Sequence, residues 1–242
     1  MKVRAVIIEI RAGTGGEEAA LFARDLFRSY SRYAQKNNWP LEIFDQNLTD
    51  LGGYRRIVFR LADESAWESL QHEGGTHRVQ RIPETEKAGR IQTSTVTVAA
   101  YPQTDRGPVA IKPSEIKVDS LKASGPGGQH VNKRETAVRV THQPTGIVVT
   151  CQSSRSQQRN RELALELLSA KLTQAAEERH QEKTRKIKKA QIGSGERAEK
   201  IRTYHFPQNR ITDHRVKKSW HNLEDVMQGE WDKIFKYLNR PQ

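Results

Sequence analysis

Hydrophobic and polar positions change their spacing several times along the chain. Val3 to Ile10 is an apolar run interrupted by Arg4 and Glu9, and it predicts a strand with apolar residues on both faces. Gly13, Gly15 and Gly16 break it. From Glu17 to Asn37 the spacing becomes helical, with Phe22, Leu26, Tyr30 and Tyr33 on one stripe. Thr14 is the candidate cap, and Glu17 and Glu18 suit the positive end of the helix dipole. Leu41 to Gln46 and Tyr54 to Leu61 alternate as strands around a Gly52-Gly53 turn. Ile91 to Tyr101, rich in threonine and valine, predicts another strand. Tyr101 to Pro113 holds three prolines and a glycine and predicts a linker.

A second unit follows. Ile116 to Leu121 predicts a strand that enters a glycine-rich segment. Ala137 to His142 and Ile147 to Cys151 predict a hairpin around Pro144-Thr145-Gly146. Asn160 to Gln191 predicts one long helix, with Leu165, Leu168, Leu172 and Ala176 near one face and Gly193-Ser194-Gly195 ending it. From Arg202 the pattern is mixed again and ends in a helix-like run, Leu223 to Leu238. Trp39, Trp67, Trp220 and Trp231 suit packing, and Cys151, in a strand-like run, suits burial.

The 242 residues suffice for two compact units. No run is apolar enough for a membrane span, and no signal-peptide pattern opens the chain. One cysteine excludes an internal disulfide and a cysteine-rich zinc site, so a cytoplasmic location is expected. The eight histidines show no metal-ligand spacing, and neither metal nor cofactor is expected. A net charge of +12 favours a polyanionic partner such as nucleic acid. Two basic stretches stand out: Lys183 to Lys189, with five basic residues in seven, and Ser153 to Arg161, with Arg155, Arg159 and Arg161. Both are candidates for RNA phosphate contact, whose signature is affinity that falls steeply with salt.

Ser124-Gly125-Pro126-Gly127-Gly128-Gln129-His130-Val131-Asn132 is the most distinctive chemistry. Such a glycine density suits neither regular helix nor strand and exposes backbone N–H groups. Exposed N–H groups are what an oxyanion needs, and losing one such donor slows a reaction by about 10²–10³. The segment lacks the Gly-Lys-Ser/Thr of a nucleotide-binding loop. No serine–histidine–acid or cysteine–histidine arrangement is legible around it, although a triad could still assemble from distant residues. Read alone, a bare Gly-Gly-Gln points first to a glycine-rich surface turn.

The longer string resembles the Gly-Gly-Gln segment of class I peptide chain release factors. Arg11 to Glu18, His77-Arg78-Val79-Gln80-Arg81 and Gly193 to Arg215 resemble bacterial release factor segments in the same order. The resemblance implies an α+β codon-recognition domain with a mixed sheet and helices, and an inserted α+β Gly-Gly-Gln domain. The expected divisions are 1–105 for codon recognition, 106–202 for peptidyl-tRNA hydrolysis, and 203–242 packing with the first domain. It implies that the Gln129 backbone N–H stabilises the transition state and leaving group, that its side chain helps admit water, and that Gly127 and Gly128 shape the backbone. It also implies N5-methylation of Gln129 by a glutamine methyltransferase. The partners implied are both ribosomal subunits, ribosomal RNA, an mRNA stop codon and peptidyl-tRNA. The protein is expected to act as a monomer, and as a factor within the ribosomal peptidyl transferase centre rather than a free-standing enzyme.

Codon reading is carried over residue by residue. Single-stranded RNA is read at exposed base edges and by stacking. Pro83-Glu84-Thr85 resembles the Pro-x-Thr tripeptide of the release factor 1 branch, which reads UAA and UAG, and not the Ser-Pro-Phe of the other branch. The helix-tip positions Gly15 and Glu18 map onto first-base contacts, and Gln80 and Thr93 onto third-base contacts. Glu18 is expected to face a base, or to serve the dipole, or both. Gln92 departs from the pattern, since histidine usually stands there and stacks in the codon pocket. Loss of stacking is worth about 1–3 kcal/mol, so weaker reading is expected at Gln92. The chain opens almost directly on the first strand, so the helical domain that usually precedes it is expected to be missing, with slower ribosome binding or altered recycling. Two other readings remain: a codon-independent ribosome rescue factor, of which Asn132-Lys133 is reminiscent, and a non-catalytic ribosome-associated RNA-binding protein.

Overall fold

The computed structural model describes residues 3–83, 86, 88–104, 111–122, 135–193 and 197–240. It divides into two units, residues 1–105 with 184–242, and residues 106–183. Both are α+β.

The first unit is built on an eight-stranded sheet. In chain order its strands are β1 (Val3–Ala12), β2 (Leu41–Leu48), β3 (Tyr54–Leu61), β4 (Gly75–Arg81), β5 (Gln92–Thr104), β9 (Lys200–His205), β10 (Arg210–Asp213) and β11 (Lys218–Trp220). Across the sheet they run β11-β10-β9-β4-β5-β1-β3-β2, and every pair is antiparallel except β4 with β9. Helix α1 (Glu17–Lys36) buries Phe22, Leu26, Tyr30 and Tyr33 against one face, the stripe that its spacing predicts. Helix α2 (Glu64–Leu70) is capped by the Asp63 carboxylate, which accepts from Ser65 N.

The sequence reading needs correction at three places. Thr14 does not cap α1. The helix begins after Gly16 with no side-chain cap, because the Thr14 backbone is hydrogen-bonded to Thr95 instead. The expected linker starts later, since Tyr101 to Thr104 continue β5 beside Val3 to Ile7. Pro102 is tolerated because β4 has already ended at that level, so no second ladder needs its N–H. The run 223–238 is two short helices, Leu223–Met227 and Asp232–Leu238, labelled α4 and α5 below. Gly229, at φ 103°, breaks them where a Cβ would meet Arg32 Cβ at 2.9 Å and Tyr33 N at 3.0 Å.

These helices complete the core of the first unit. Trp231 stacks on Phe235 with 5.0 Å between ring centroids and donates its indole N–H to Ser29 Oγ at 2.8 Å. Beneath it lies a buried polar network. Arg202, fully buried, donates to Glu73 Oε2 at 2.6 Å and to Asp213 Oδ2 at 3.2 Å. Tyr30 donates its hydroxyl to the same Glu73 oxygen at 2.6 Å. His77 Nε2 lies 2.9 Å from the Glu73 carbonyl, and Nδ1 lies 2.9 Å from the Tyr204 hydroxyl. A carbonyl only accepts, so Nε2 carries the proton and Tyr204 donates to Nδ1.

The second unit is a three-stranded antiparallel sheet under the first part of a long helix. β6 (Ile116–Leu121), β7 (Ala137–His142) and β8 (Ile147–Cys151) lie in that order, and Gly146, at φ 71°, closes the β7–β8 turn. Helix α3 (Gln157–Ile192) belongs to this unit up to Lys183. Ala164, Leu168 and Leu172 are its buried stripe over Val138, Val140, Val149 and Cys151, and Leu165 packs at the margin. Among the described residues no helix is long and apolar enough to cross a membrane, and no group of three or more His, Cys, Asp or Glu could hold a metal ion.

Burial holds the His77 imidazole neutral and lowers its pKa from 6.5 to about 4. Between those values the unfolded chain binds a proton that the folded chain refuses, so stability falls as pH falls across that window, by about 3 kcal/mol in all. Denaturant unfolding from pH 7 to pH 4 checks this. His77→Gln, which keeps one donor and one acceptor, flattens most of the slope, and an unchanged slope would show that His77 is not its source. A shallower decline remains, since burial also lowers the His214 pKa and, toward pH 4, the unfolded chain begins to bind protons at carboxylates such as Glu9 and Glu73 that the fold holds ionised.

Candidate functional site

The loop before α1 is fastened to β5. Gly13 N donates to Thr95 O at 2.8 Å, Thr95 N donates to Thr14 O at 2.8 Å, and Thr14 N donates to Thr95 Oγ1 at 2.9 Å. Gly15, exposed and at φ 129°, faces Ser94, and a Cβ there would lie 2.2 Å from Ser94 Oγ. Only glycine provides that close approach and that backbone conformation. The first turn is held from the other side by the β2–β3 turn. Thr49 donates its hydroxyl to Glu17, and a Cβ on Gly53 would meet the backbone of Ala20 and Leu21.

Glu18 is buried, with 3% of its surface exposed, and Arg81 Nε donates to its Oε1 at 2.7 Å. Arg81 Nη1 also donates to Asp25 Oδ2 at 2.7 Å, and its guanidinium lies over the Phe206 ring at 5.2 Å. Burial disfavours the Arg81 cation, yet the hydrogen bonds it donates to Glu18 and Asp25 raise its pKa above the ordinary value. The Glu18 carboxylate therefore clamps β4 to α1 and does not stand open toward a base. Glu18 and Asp25 lie seven residues apart, two turns along one helix face, and that spacing could have signalled a shared cation. Arg81, the last residue of β4, holds this clamp, a part that the spacing of the sequence did not assign to it.

Beside this clamp β4 and β5 pair as a hairpin. Gln80 lies opposite Thr93, and Arg81 opposite Gln92. Directly paired residues share a face of the sheet. Gln80 and Thr93 thus form one pair on the face away from α1, while Gln92 shares the α1 face with Arg81. Gln92 is exposed, and its amide donates to Glu86 Oε2 at 3.0 Å. Glu86 also accepts from Ala88 N at 2.8 Å through Oε1, and its own N–H donates to Pro83 O at 3.0 Å. Pro83 is buried, whereas Ile82 and Ile91 at the two roots of the loop are 50% and 54% exposed. Glu84 and Thr85 lie outside the described residues.

Gly127, Gly128 and Gln129 also lie outside the described residues. The strands that flank their segment are neighbours, with Leu121 paired to Ala137. In the basic stretches Lys183, Arg185, Lys186 and Lys189 are exposed, as are Arg155, Arg159 and Arg161. Lys188 is not available in the same way. It donates to the buried Glu9 carboxylate at 2.9 Å and lies 4.6 Å from the Tyr101 ring centroid. Burial pushes the Glu9 pKa up, but hydrogen bonds from Lys188, Arg56 and Arg11 bring it down to about 2.

Residues 2–98 match the PCRF domain family, and residues 103–215 match the RF-1 domain family. Peptide chain release factor 1 of Thermotoga maritima is 52% identical over 232 residues, which cover 96% of this chain and 68% of that protein. The chain belongs to the peptide chain release factor 1 family. The corresponding protein of Aquifex aeolicus is 54% identical over 96% of this chain, which spans 64% of its length. Among solved structures, RF2 of Thermus thermophilus matches with a TM-score of 0.58 and 34% identity, over 99% of this chain and 70% of that one. The α+β architecture is shared with that solved structure, and the chain spans about two thirds of the length of the curated relatives it matches.

The glycine requirement at the helix tip gives a direct test. Gly15→Ala displaces Ser94 or the loop and lowers unfolding stability by about 1–3 kcal/mol. Thermal unfolding of the variant beside Gly16→Ala, whose Cβ would meet nothing within 4 Å, separates contact from backbone strain. Gly15→Ala is expected to be the more damaging. Equal losses would show that the Ser94 contact does not matter.

Proposed function

We propose that this chain reads UAA and UAG in the ribosomal A site and promotes hydrolysis of peptidyl-tRNA through Gly127-Gly128-Gln129. The observation that carries the reading is the β4–β5 register. It sets Gln80 opposite Thr93, one residue from the Ser94 contact with Gly15, so three separate stretches of sequence converge at one end of the sheet.

In this reading Gln80 and Thr93 offer an amide and a hydroxyl to the third base, and the exposed backbone at Gly15 faces the first. Glu18 acts through Arg81, holding the tip against β4. Pro83, Glu84 and Thr85 carry the choice of UAA and UAG. Gln92 brings no ring to stack, and its amide is engaged by Glu86, so reading is slower or less faithful than with histidine there.

For the chemical step, water attacks the ester carbonyl, the bond to the tRNA 3′ oxygen breaks, and a proton goes to that oxygen. The Gln129 N–H stabilises the charge that develops there, its side chain admits water over larger nucleophiles, and Gly127 and Gly128 permit the backbone shape. No serine–histidine–acid or cysteine–histidine arrangement is legible around the segment, so in this reading the ribosome supplies the rest of the site. N5-methylation of Gln129 by a glutamine methyltransferase, action as a monomer and a cytoplasmic location belong to the same reading. The exposed arginines and lysines of α3 and the residues just before it contact ribosomal RNA, which makes affinity fall steeply with salt.

Release is measured on ribosomes carrying UAA, UAG, UGA, a sense codon or an empty A site. Release on the first two alone is expected. Codon-independent release would indicate rescue, and no release would indicate a binding protein. Within the assay Gln129→Pro, which deletes the N–H, abolishes release and Gln129→Ala retains part of it. Near wild-type release by both would sink the backbone mechanism.

A further inference from the structure

The segment that carries Gly127, Gly128 and Gln129 leaves the second sheet after β6 and returns at β7. Among the described residues strand β6 is an edge strand, hydrogen-bonded to β7 alone. Its ladder ends at the Leu121–Ala137 pair. Among the described residues no ladder pair beyond it sets the spacing of the two stems, and strand ends fray.

Two side chains from the first turn of α3 reach the stems. Gln157 Nε2 donates to Ser120 Oγ at 2.6 Å, one residue before the end of β6. Asn160, fully buried, donates from Nδ2 to Thr136 O at 2.8 Å, one residue before β7 begins. Gln157 and Asn160 are three residues apart, so one helix face serves both stems. Ser120 pairs with the buried Val138, which points its hydroxyl to the same side.

Asn160 is itself held on all its polar valences. Its second Nδ2 proton goes to Ser154 O at 2.8 Å, Oδ1 accepts from Ser154 N at 2.8 Å, and the Cys151 thiol lies 3.7 Å from Oδ1. Such a saturated buried amide has one orientation, because any rotation leaves a donor or acceptor unpaired. The helix start is fixed as well, with Arg159 N donating to Ser156 Oγ at 3.4 Å and Asn160 N to Ser156 O at 3.1 Å.

We infer that Gln157 and Asn160 are positioning residues for peptidyl-tRNA hydrolysis: together they clamp the two stems of the Gly-Gly-Gln segment to the start of α3. This rests on the function proposed above. Neither residue touches substrate. Their effect is to hold the distance between Ser120 and Thr136, hence the geometry from which the segment departs. A reacting group misplaced by about 1 Å can cost on the order of 10²-fold in rate.

The test is a double-mutant cycle on the exposed pair, Gln157 and Ser120, measured with the full chain on UAA-programmed ribosomes. Gln157→Ala and Ser120→Ala are each expected to lower the maximal release rate about tenfold, with the half-saturating concentration of factor unchanged. The double variant falls no further than either single one. Gln157→Glu, whose carboxylate still accepts from the Ser120 hydroxyl, restores most of the rate. Thermal unfolding is unchanged in all four. Asn160→Asp, which loses both donors, lowers the maximal rate more, and its unfolding is measured alongside so that instability is told apart from misplacement. Additive losses, a change only in half-saturation, or full rates in both single variants would overturn the clamp. A wild-type chain that releases nothing on any programmed ribosome would instead overturn the function on which it rests.

Discussion

The buried guanidinium of Arg202 is the interaction on which the first unit depends. Taking such a cation out of water costs several kcal/mol, and only good geometry with further hydrogen bonds offsets that. Here Glu73 and Asp213 supply the opposite charges, and Tyr30 donates to the same Glu73 oxygen as Arg202. The Glu73 carboxyl is disfavoured as an anion by burial, yet Arg202 and its other partners hold it below the usual range. Asp213 behaves alike, with its pKa lowered to about 2 because Arg215 and Arg202 outweigh burial. The participants come from α1, the turn before β4, β4, β9 and β10. Residues some 130 positions apart in sequence close around one charge, and β9, β10 and β11 become part of the first sheet.

That closure explains where the sequence was legible and where it was not. Strand β1 and helix α1 show their periodicity because hydrocarbon lines their buried sides. Gly75-Thr76-His77-Arg78-Val79-Gln80-Arg81 and Lys200-Ile201-Arg202-Thr203-Tyr204-His205 do not read as strands, since their buried positions are filled by His77, Arg202 and other polar groups that satisfy one another. A hydrophobic period cannot reveal a strand whose inward residues are charged. Their parallel pairing, across more than a hundred residues, has no local signature either. The two helices at the end read as one run because apolar spacing continues across Gly229, while the break is imposed by contact with α1.

The candidate site divides in the same way. Gly15, Gln80, Gln92 and Thr93 were legible through resemblance, and the hairpin register gives that resemblance a geometry. What the sequence could not convey is that Glu18 spends its charge on Arg81, or that Gln92 is tied to Glu86. Both are long side chains whose partners depend on register. The lysine run on α3 likewise divides, for Lys188 is drawn down to Glu9 while its neighbours remain exposed.

Strand β4 therefore joins the buried network to the candidate site. One end of it carries His77 in the Arg202 network, and the other carries Gln80 and Arg81 in the candidate site. If the network fuses β4 and β9 into one cooperative element, native-state amide hydrogen exchange is the most direct measurement. The amides of β4 and β9 are predicted to exchange with a common free energy equal to that of global unfolding, and Arg202→Met is predicted to lower both together. Amides of β9 that open several kcal/mol below those of β4 would contradict the account.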